Sequence, residues 1–165
     1  MEECREKKKE AFLSIFDAIN ENFRILYSRI SDGGYGELTL ENRDDPFAGG
    51  LRIVAQPPGK KAQSIERLSG GEKSVAALAL VFAIQRISPS AFYFLDEVDM
   101  FLDSVNAEII GRMVKESADS TQTIVISLRK ATLKDADVVY GVAAIDGVSH
   151  MIGKININEI TEEVS

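Results

Sequence analysis

The sequence has 165 residues, 45% of them hydrophobic and 27% charged, with a net charge of −7: enough for one domain with a sizeable core, and without an apolar run long enough to span a membrane. One cysteine, Cys4, excludes an internal disulfide and a cysteine metal cage, and the charged start MEECREKKKE does not read as a secretory leader, so a cytoplasmic setting is expected. Residues 90–165 carry 13 acidic and 6 basic side chains, a difference equal to the whole net charge, which makes the chain by itself a poor nonspecific DNA binder.

Phe12, Phe16, Ile19, Phe23, Leu26 and Ile30 recur at spacings of 4-3-4-3-4, a heptad seam. Two readings fit: an amphipathic helix packed on its own domain, or the stub of a coiled coil running into a globular body. The second is favoured, with residues 2–10 protruding. SDGGYG (31–36) breaks the helix with turn chemistry. GELTLE (36–41) and LRIVA (51–55) read as strands.

LSGGEK follows. Ser69 and Glu72 have the spacing of a capping box, and the apolar positions from Val75 to Ile87 go most of the way round a deeply buried helix. Gly70 and Gly71 each cost a helix about 1 kcal/mol relative to alanine, so something is expected to approach the backbone there. Free amides at a helix start also suit an anion. A capped core helix with no ligand accounts for the spacing equally well.

AFYFL (91–95) reads as a strand buried on both faces. Asp96 and Glu97 stand where it ends, the edge at which ligands gather in α/β sheets. An aspartate there suits Mg²⁺ and a glutamate suits proton abstraction from water. The plain alternative is a polar strand end turning into a loop. A helix over 104–118, a buried strand TIVIS (123–127) and closing strands around Asp146-Gly147, a hairpin turn signal, complete the chain. Strand, helix, strand after residue 90 predicts an α/β fold with a parallel core. No GxxxxGK[ST] phosphate loop occurs: Gly59-Lys60 lacks the leading glycine and is followed by Lys61, and Lys73-Ser74 follows Glu72 rather than a glycine.

LSGGEK followed by YFLDEVDMFLD resembles the signature and Walker B motifs of ABC-type ATPases. LENRDDPFAGGLRIVAQPPGKK, with the order of phenylalanine-rich helix, signature, DEVD, ISLR and hairpin, resembles the C-terminal half of the head of SMC (structural maintenance of chromosomes) proteins, over nearly the whole chain. The resemblance implies the C-terminal lobe of an ABC-type ATPase head, mostly parallel sheet with flanking helices: residues 1–30 the end of a coiled-coil arm and the entry helix, residues 31–165 the lobe. It implies that this is an excised or naturally separate lobe, inactive alone, whose phosphate loop lies in the N-terminal half of the same head. Two heads would then sandwich ATP. Ser69, Gly70 and Gly71 would bind the γ-phosphate of ATP held by the opposing head. Glu72 would cap, and Lys73 would add charge near the phosphates or simply be solvated. Asp96 would support Mg²⁺ and Glu97 would be the general base. Asp99 and Asp103 would form the turn after Walker B, with Asp103 at the head–head interface. Leu128 stands at the switch position where many relatives place a histidine; His150, the only histidine, is expected on the hairpin surface. The implied partners are the N-terminal half, a second head, the C-terminal winged-helix domain of a kleisin subunit on residues 138–160, and DNA through the assembled complex, in chromosome condensation and segregation. The implied location is cytoplasmic and nucleoid-associated, with no membrane. Alternatives are a transporter nucleotide-binding domain, a long-armed DNA-repair ATPase, and a non-hydrolysing interaction module.

Overall fold

Both readings of the heptad seam apply, each to a different part of one helix. In the computed structural model, which describes residues 2–155, α1 runs unbroken from Glu2 to Ile30. Its second half packs on the body: Phe16, Phe23, Leu26, Tyr27 and Ile30 are buried. Each such side chain, fully buried, is worth about 1.5–3 kcal/mol. Burial, followed by the nearby Glu72 charge, pushes the Tyr27 hydroxyl up to about 12. Its first half extends beyond this core. There Phe12 stacks on Phe16, with ring centroids 6.3 Å apart, and meets Phe47 at 5.4 Å. Phe47 lies in the loop 41–50, and the Lys8 ammonium sits 4.5 Å from its ring centroid. Arg29 joins α1 to the later helix through both carboxylate oxygens of Glu116, at 2.7 and 2.5 Å.

The strands form three separate ladders. β1 (Tyr35–Leu40), β2 (Leu51–Gln56) and the two-residue β3 (Gln63–Ser64) are antiparallel, with Leu38 and Ala55 turned into the core. β4 (Phe92–Asp96) and β5 (Gln122–Ile126) are parallel, from Phe92 opposite Gln122 to Asp96 opposite Ile126. The crossover between them contains α3 (Ser104–Ser117), whose Ile110 and Met113 are buried. α2 (Gly70–Ile87) precedes β4, and α4 (Lys130–Leu133) is a single turn after β5. β6 (Val139–Ile145) and β7 (Val148–Ile155) close as a hairpin. Its turn residues Asp146 and Gly147 stand at φ of 51° and 79°, the pair of positive angles that an Asp-Gly turn supplies. His150, opposite Ala143, is exposed. The expected parallel core is thus the β4–β5 pair, with antiparallel ladders before and after it in the chain.

Two burial expectations need correction. The strands AFYFL and TIVIS are not covered on both faces. Leu95 is buried on the inner face, whereas Phe92 is 61% exposed, Phe94 is 56% exposed, and Ile124 and Ile126 lie open beside them. Strand side chains alternate between faces, so one face meets the helices while the other has no covering layer among the described residues. Helix α2 is likewise buried on one side only: Val75, Ala76, Leu78, Ala79, Phe82 and Ala83 are inside, while Val81, Ile84 and Ile87 are exposed. A continuous apolar run signals burial on two sides only when a second layer is present.

Candidate functional site at the start of α2 and the end of β4

The first turn of α2 is set by its own side chains. The Glu72 N–H donates to Ser69 Oγ at 3.4 Å, and the Ser69 N–H donates to Glu72 Oε2 at 2.9 Å, so both halves of the capping box form. Lys60 Nζ donates to the other carboxylate oxygen, Oε1, at 2.8 Å. The Lys60 ammonium, and after it the Ser69 amide, hold the Glu72 carboxyl below its usual range. With Ser69 and Glu72 so engaged, the amides of Gly70 and Gly71 are the first-turn donors without a partner among the described residues.

The two glycines have different reasons to be glycine. A Cβ at Gly70 would meet nothing within 4 Å, so that backbone faces open space. A Cβ at Gly71 would lie 2.7 Å from the carbonyl oxygen of Phe101. The close approach expected at this helix start is, at Gly71, made by the chain's own backbone. Gly71→Ala is expected to displace the 100–102 segment and cost about 1–3 kcal/mol, whereas Gly70→Ala should stay within about 0.5 kcal/mol of the parent. Thermal melts of the two variants check this; equal midpoints would contradict the contact.

The Phe101 contact brings the end of β4 to the same place. Asp96 is the last residue of that strand, and both it and Glu97 are exposed. The Glu97 N–H donates to the Ile126 carbonyl at 2.9 Å, extending the parallel ladder by one bond. Glu97 then takes φ of +48°, a left-handed conformation uncommon outside glycine. Two turns follow: the Met100 N–H donates to the Glu97 carbonyl at 3.1 Å and the Leu102 N–H to the Asp99 carbonyl at 3.1 Å. Asp103 caps α3, accepting from the Asn106 N–H at 2.8 Å, and remains exposed.

Asp99 is not on an outer surface. It is 2% exposed, and its carboxylate accepts the Ser127 hydroxyl at 2.5 Å and the Thr132 hydroxyl. Of the two acids expected in this turn, Asp99 thus faces inward and Asp103 outward. Ser127 Oγ also accepts from the Arg129 N–H at 2.9 Å, and the Arg129 guanidinium donates to the Met100 carbonyl at 3.2 Å. Leu128, between them, is 92% exposed. Lys73 is exposed at the outer side of the first turn of α2.

Sequence reasoning did not find Lys60, Phe101, Ser127, Arg129 or Thr132. Ser127 and Arg129 flank a strand end and were open to notice; no local spacing relates Thr132 or Phe101 to the rest. No group of three or more His, Cys, Asp or Glu side chains among the described residues could hold a metal ion. Asp96 offers one exposed carboxylate. That fits Mg²⁺, which usually takes one or two carboxylates and completes its shell with water and substrate phosphates. The arrangement can present amides and a hydroxyl to an anion at one end, and carboxylates to a water and a cation at the other.

The family described as RecF/RecN/SMC N terminal domain matches residues 10–150. The chain belongs to the SMC family. This SMC chain is 49% identical to the chromosome partition protein Smc of Gloeobacter violaceus and 50% identical to that of Methanocaldococcus jannaschii, over 93% of its own length in each case. It spans 13% of the length of either relative. It matches the Smc head domain with an extended coiled coil from Pyrococcus furiosus, a structure bound to the C-terminal domain of ScpA. The TM-score is 0.90 at 42% identity, covering 99% of this chain and 41% of that one. A second structure, from work on ATP-driven dimerization and DNA stimulated activation of SMC ATPases, matches with a TM-score of 0.84 at 42% identity, covering 94% of this chain and 96% of that one. This SMC chain is accordingly the C-terminal part of a head, as LSGGEK, DEVD and the loop DDPFAGG implied. No helix among the described residues is long and apolar enough to cross a membrane.

Proposed function

We propose that this SMC chain is half of an ATP-hydrolysing head, completed by an N-terminal half that carries the phosphate loop and by a second head that shares the nucleotide. The observation that carries this reading is the open apolar face of Phe92, Phe94, Ile124 and Ile126 directly behind the exposed Asp96 and Glu97. Exposed aromatic and branched side chains on a short parallel sheet call for a covering layer. A layer that also brought a phosphate loop would supply what the sequence lacks.

In this reading the open Gly70 and Gly71 amides and the Ser69 hydroxyl receive the γ-phosphate of ATP bound to the opposing head, with the helix dipole favouring the negative charge. Lys73 adds positive charge at the rim, and Glu72 keeps the turn in shape. Asp96 would hold Mg²⁺, which neutralises charge on the phosphates. Glu97 takes a proton from the attacking water. Hydrolysis then removes the γ-phosphate that links the heads. No histidine stands at the switch position, since Leu128 occupies it, so proton abstraction falls to Glu97. The first half of α1 is the end of the coiled-coil arm within residues 1–30, and residues 31–165 are the lobe.

The head structure bound to the C-terminal domain of ScpA supports a kleisin partner for this lobe. The hairpin is the proposed surface: Tyr140, Val142, Met151 and Ile152 are all exposed on it, and an open strand edge accepts another chain. Residues 156–160 of that proposed surface lie outside the described residues. The relatives' name, chromosome partition protein Smc, supports a role in chromosome partition; in this reading the assembled complex contacts DNA at the nucleoid. Light scattering of this chain mixed with its N-terminal half, with and without ATP, tests the reading. ATP-dependent doubling of the head mass is expected; a mass indifferent to ATP would count against it.

A further inference from the structure

A side chain other than glycine enters the left-handed region at an energetic cost, and it stays there when its surroundings over-determine it. Glu97, at φ of +48°, has such surroundings. Its N–H is tied to Ile126 and its carbonyl to Met100, as described above. Two residues on, the Asp99 carboxylate accepts hydroxyls from Ser127 and Thr132, neither of which belongs to its own loop. Arg129 returns from the same segment to the Met100 carbonyl, and the Phe101 carbonyl that follows rests on the first turn of α2 at Gly71. Asp99 is therefore the point where the segment carrying Glu97 is fastened to the segment carrying Leu128.

A carboxylate taken almost wholly out of water and matched only by neutral hydroxyls is a poor source of net stability, since desolvation offsets much of the gain. Such a group does fix directions: two hydroxyl donors on different elements define where its oxygens lie, and with them the turn. We propose that Asp99 is a positioning residue, which by accepting the Ser127 and Thr132 hydroxyls holds the turn that aims Glu97 and seats the Phe101 carbonyl on α2. The inference rests on Glu97 as the general base. Asp99 itself is 2% exposed, so its part in this scheme is through the turn it holds.

The test uses the head reassembled from this chain and its N-terminal half, comparing Asp99→Asn, Ser127→Ala with Thr132→Val, the triple combination, Thr132→Ser, and Glu97→Gln. Steady-state ATP turnover and melting temperature are measured for each. Asp99→Asn is expected to lower kcat about tenfold or more, because a displaced base loses its alignment, while the KM for ATP stays within about twofold. The Ser127/Thr132 pair should show the same fall, and adding Asp99→Asn to it should change little further, as for residues of one network. Thr132→Ser, which keeps the hydroxyl, should retain parental kcat. If Asp99→Asn does not fold, the hydroxyl variants carry the comparison. Parental kcat in Asp99→Asn, beside a slow Glu97→Gln, would overturn the inference alone. A loss of kcat that merely follows the folded fraction would overturn it too. Parental turnover in Glu97→Gln would remove the general base and this inference with it.

Discussion

Ser69→Arg in the reassembled head is expected to abolish ATP-dependent dimerisation while leaving ATP bound to the N-terminal half. Ser69 sits at the mouth of a helix whose first two amides lack partners, and Gly70 beside it has open space where a Cβ would stand. An arginine there fills the space through which an opposing triphosphate would have to approach. The substitution also removes the cap that accepts the Glu72 amide, at a cost of about 0.5–2 kcal/mol, which a folded domain tolerates. Ser69→Ala removes the same cap without the bulk, so it separates the two effects: it should dimerise measurably where the arginine variant does not. Light scattering with ATP reads dimerisation, and nucleotide binding to the monomeric head reads the other site. Dimers of normal mass in Ser69→Arg would show that this helix start does not face a phosphate.

Glu97→Gln should do the opposite, keeping ATP-dependent dimers and slowing turnover by about 10²–10⁴-fold, the range of a positioned acid–base group. The amide has the shape of the carboxylate and can hold the same left-handed backbone, so the loop and its bond to Ile126 should survive. Only the capacity to take a proton is lost. Leu128 cannot substitute, being apolar and without a titrating group, and the single histidine is in the hairpin. Turnover at the parental rate would remove Glu97 from its role and direct attention to Asp96 or to a group on the other half.

Local patterns in this sequence translate well into local structure. The Ser69–Glu72 spacing becomes a capping box because its atoms lie within one helical turn. Asp146-Gly147 becomes a hairpin turn because those residues tolerate positive φ. The acidic pair falls at the end of β4 because an apolar run of strand length leads straight into it. What was not legible depends on distance or on a missing layer. The Asp99 carboxylate meets hydroxyls 28 and 33 residues away, a pairing that only the parallel β4–β5 register brings about. Gly71 answers to a carbonyl 30 residues further on, at Phe101, so its reason lies in tertiary packing rather than in the motif around it. The bulky Met100-Phe101 pair sets its backbone carbonyls against Arg129 and Gly71, and its side chains are exposed. Apolar content predicted two-sided burial for AFYFL and TIVIS, but burial needs something to be buried against, and the second surface is not among the described residues.

The central claim is that one lobe holds complementary parts of two nucleotide sites and completes neither. Steady-state ATP hydrolysis by the purified chain, first alone and then titrated with its N-terminal half, tests this most directly. No turnover is expected from the chain alone, with activity emerging on titration and rising more steeply than linearly in head concentration, because two heads must meet. Full turnover by the chain on its own would contradict the account.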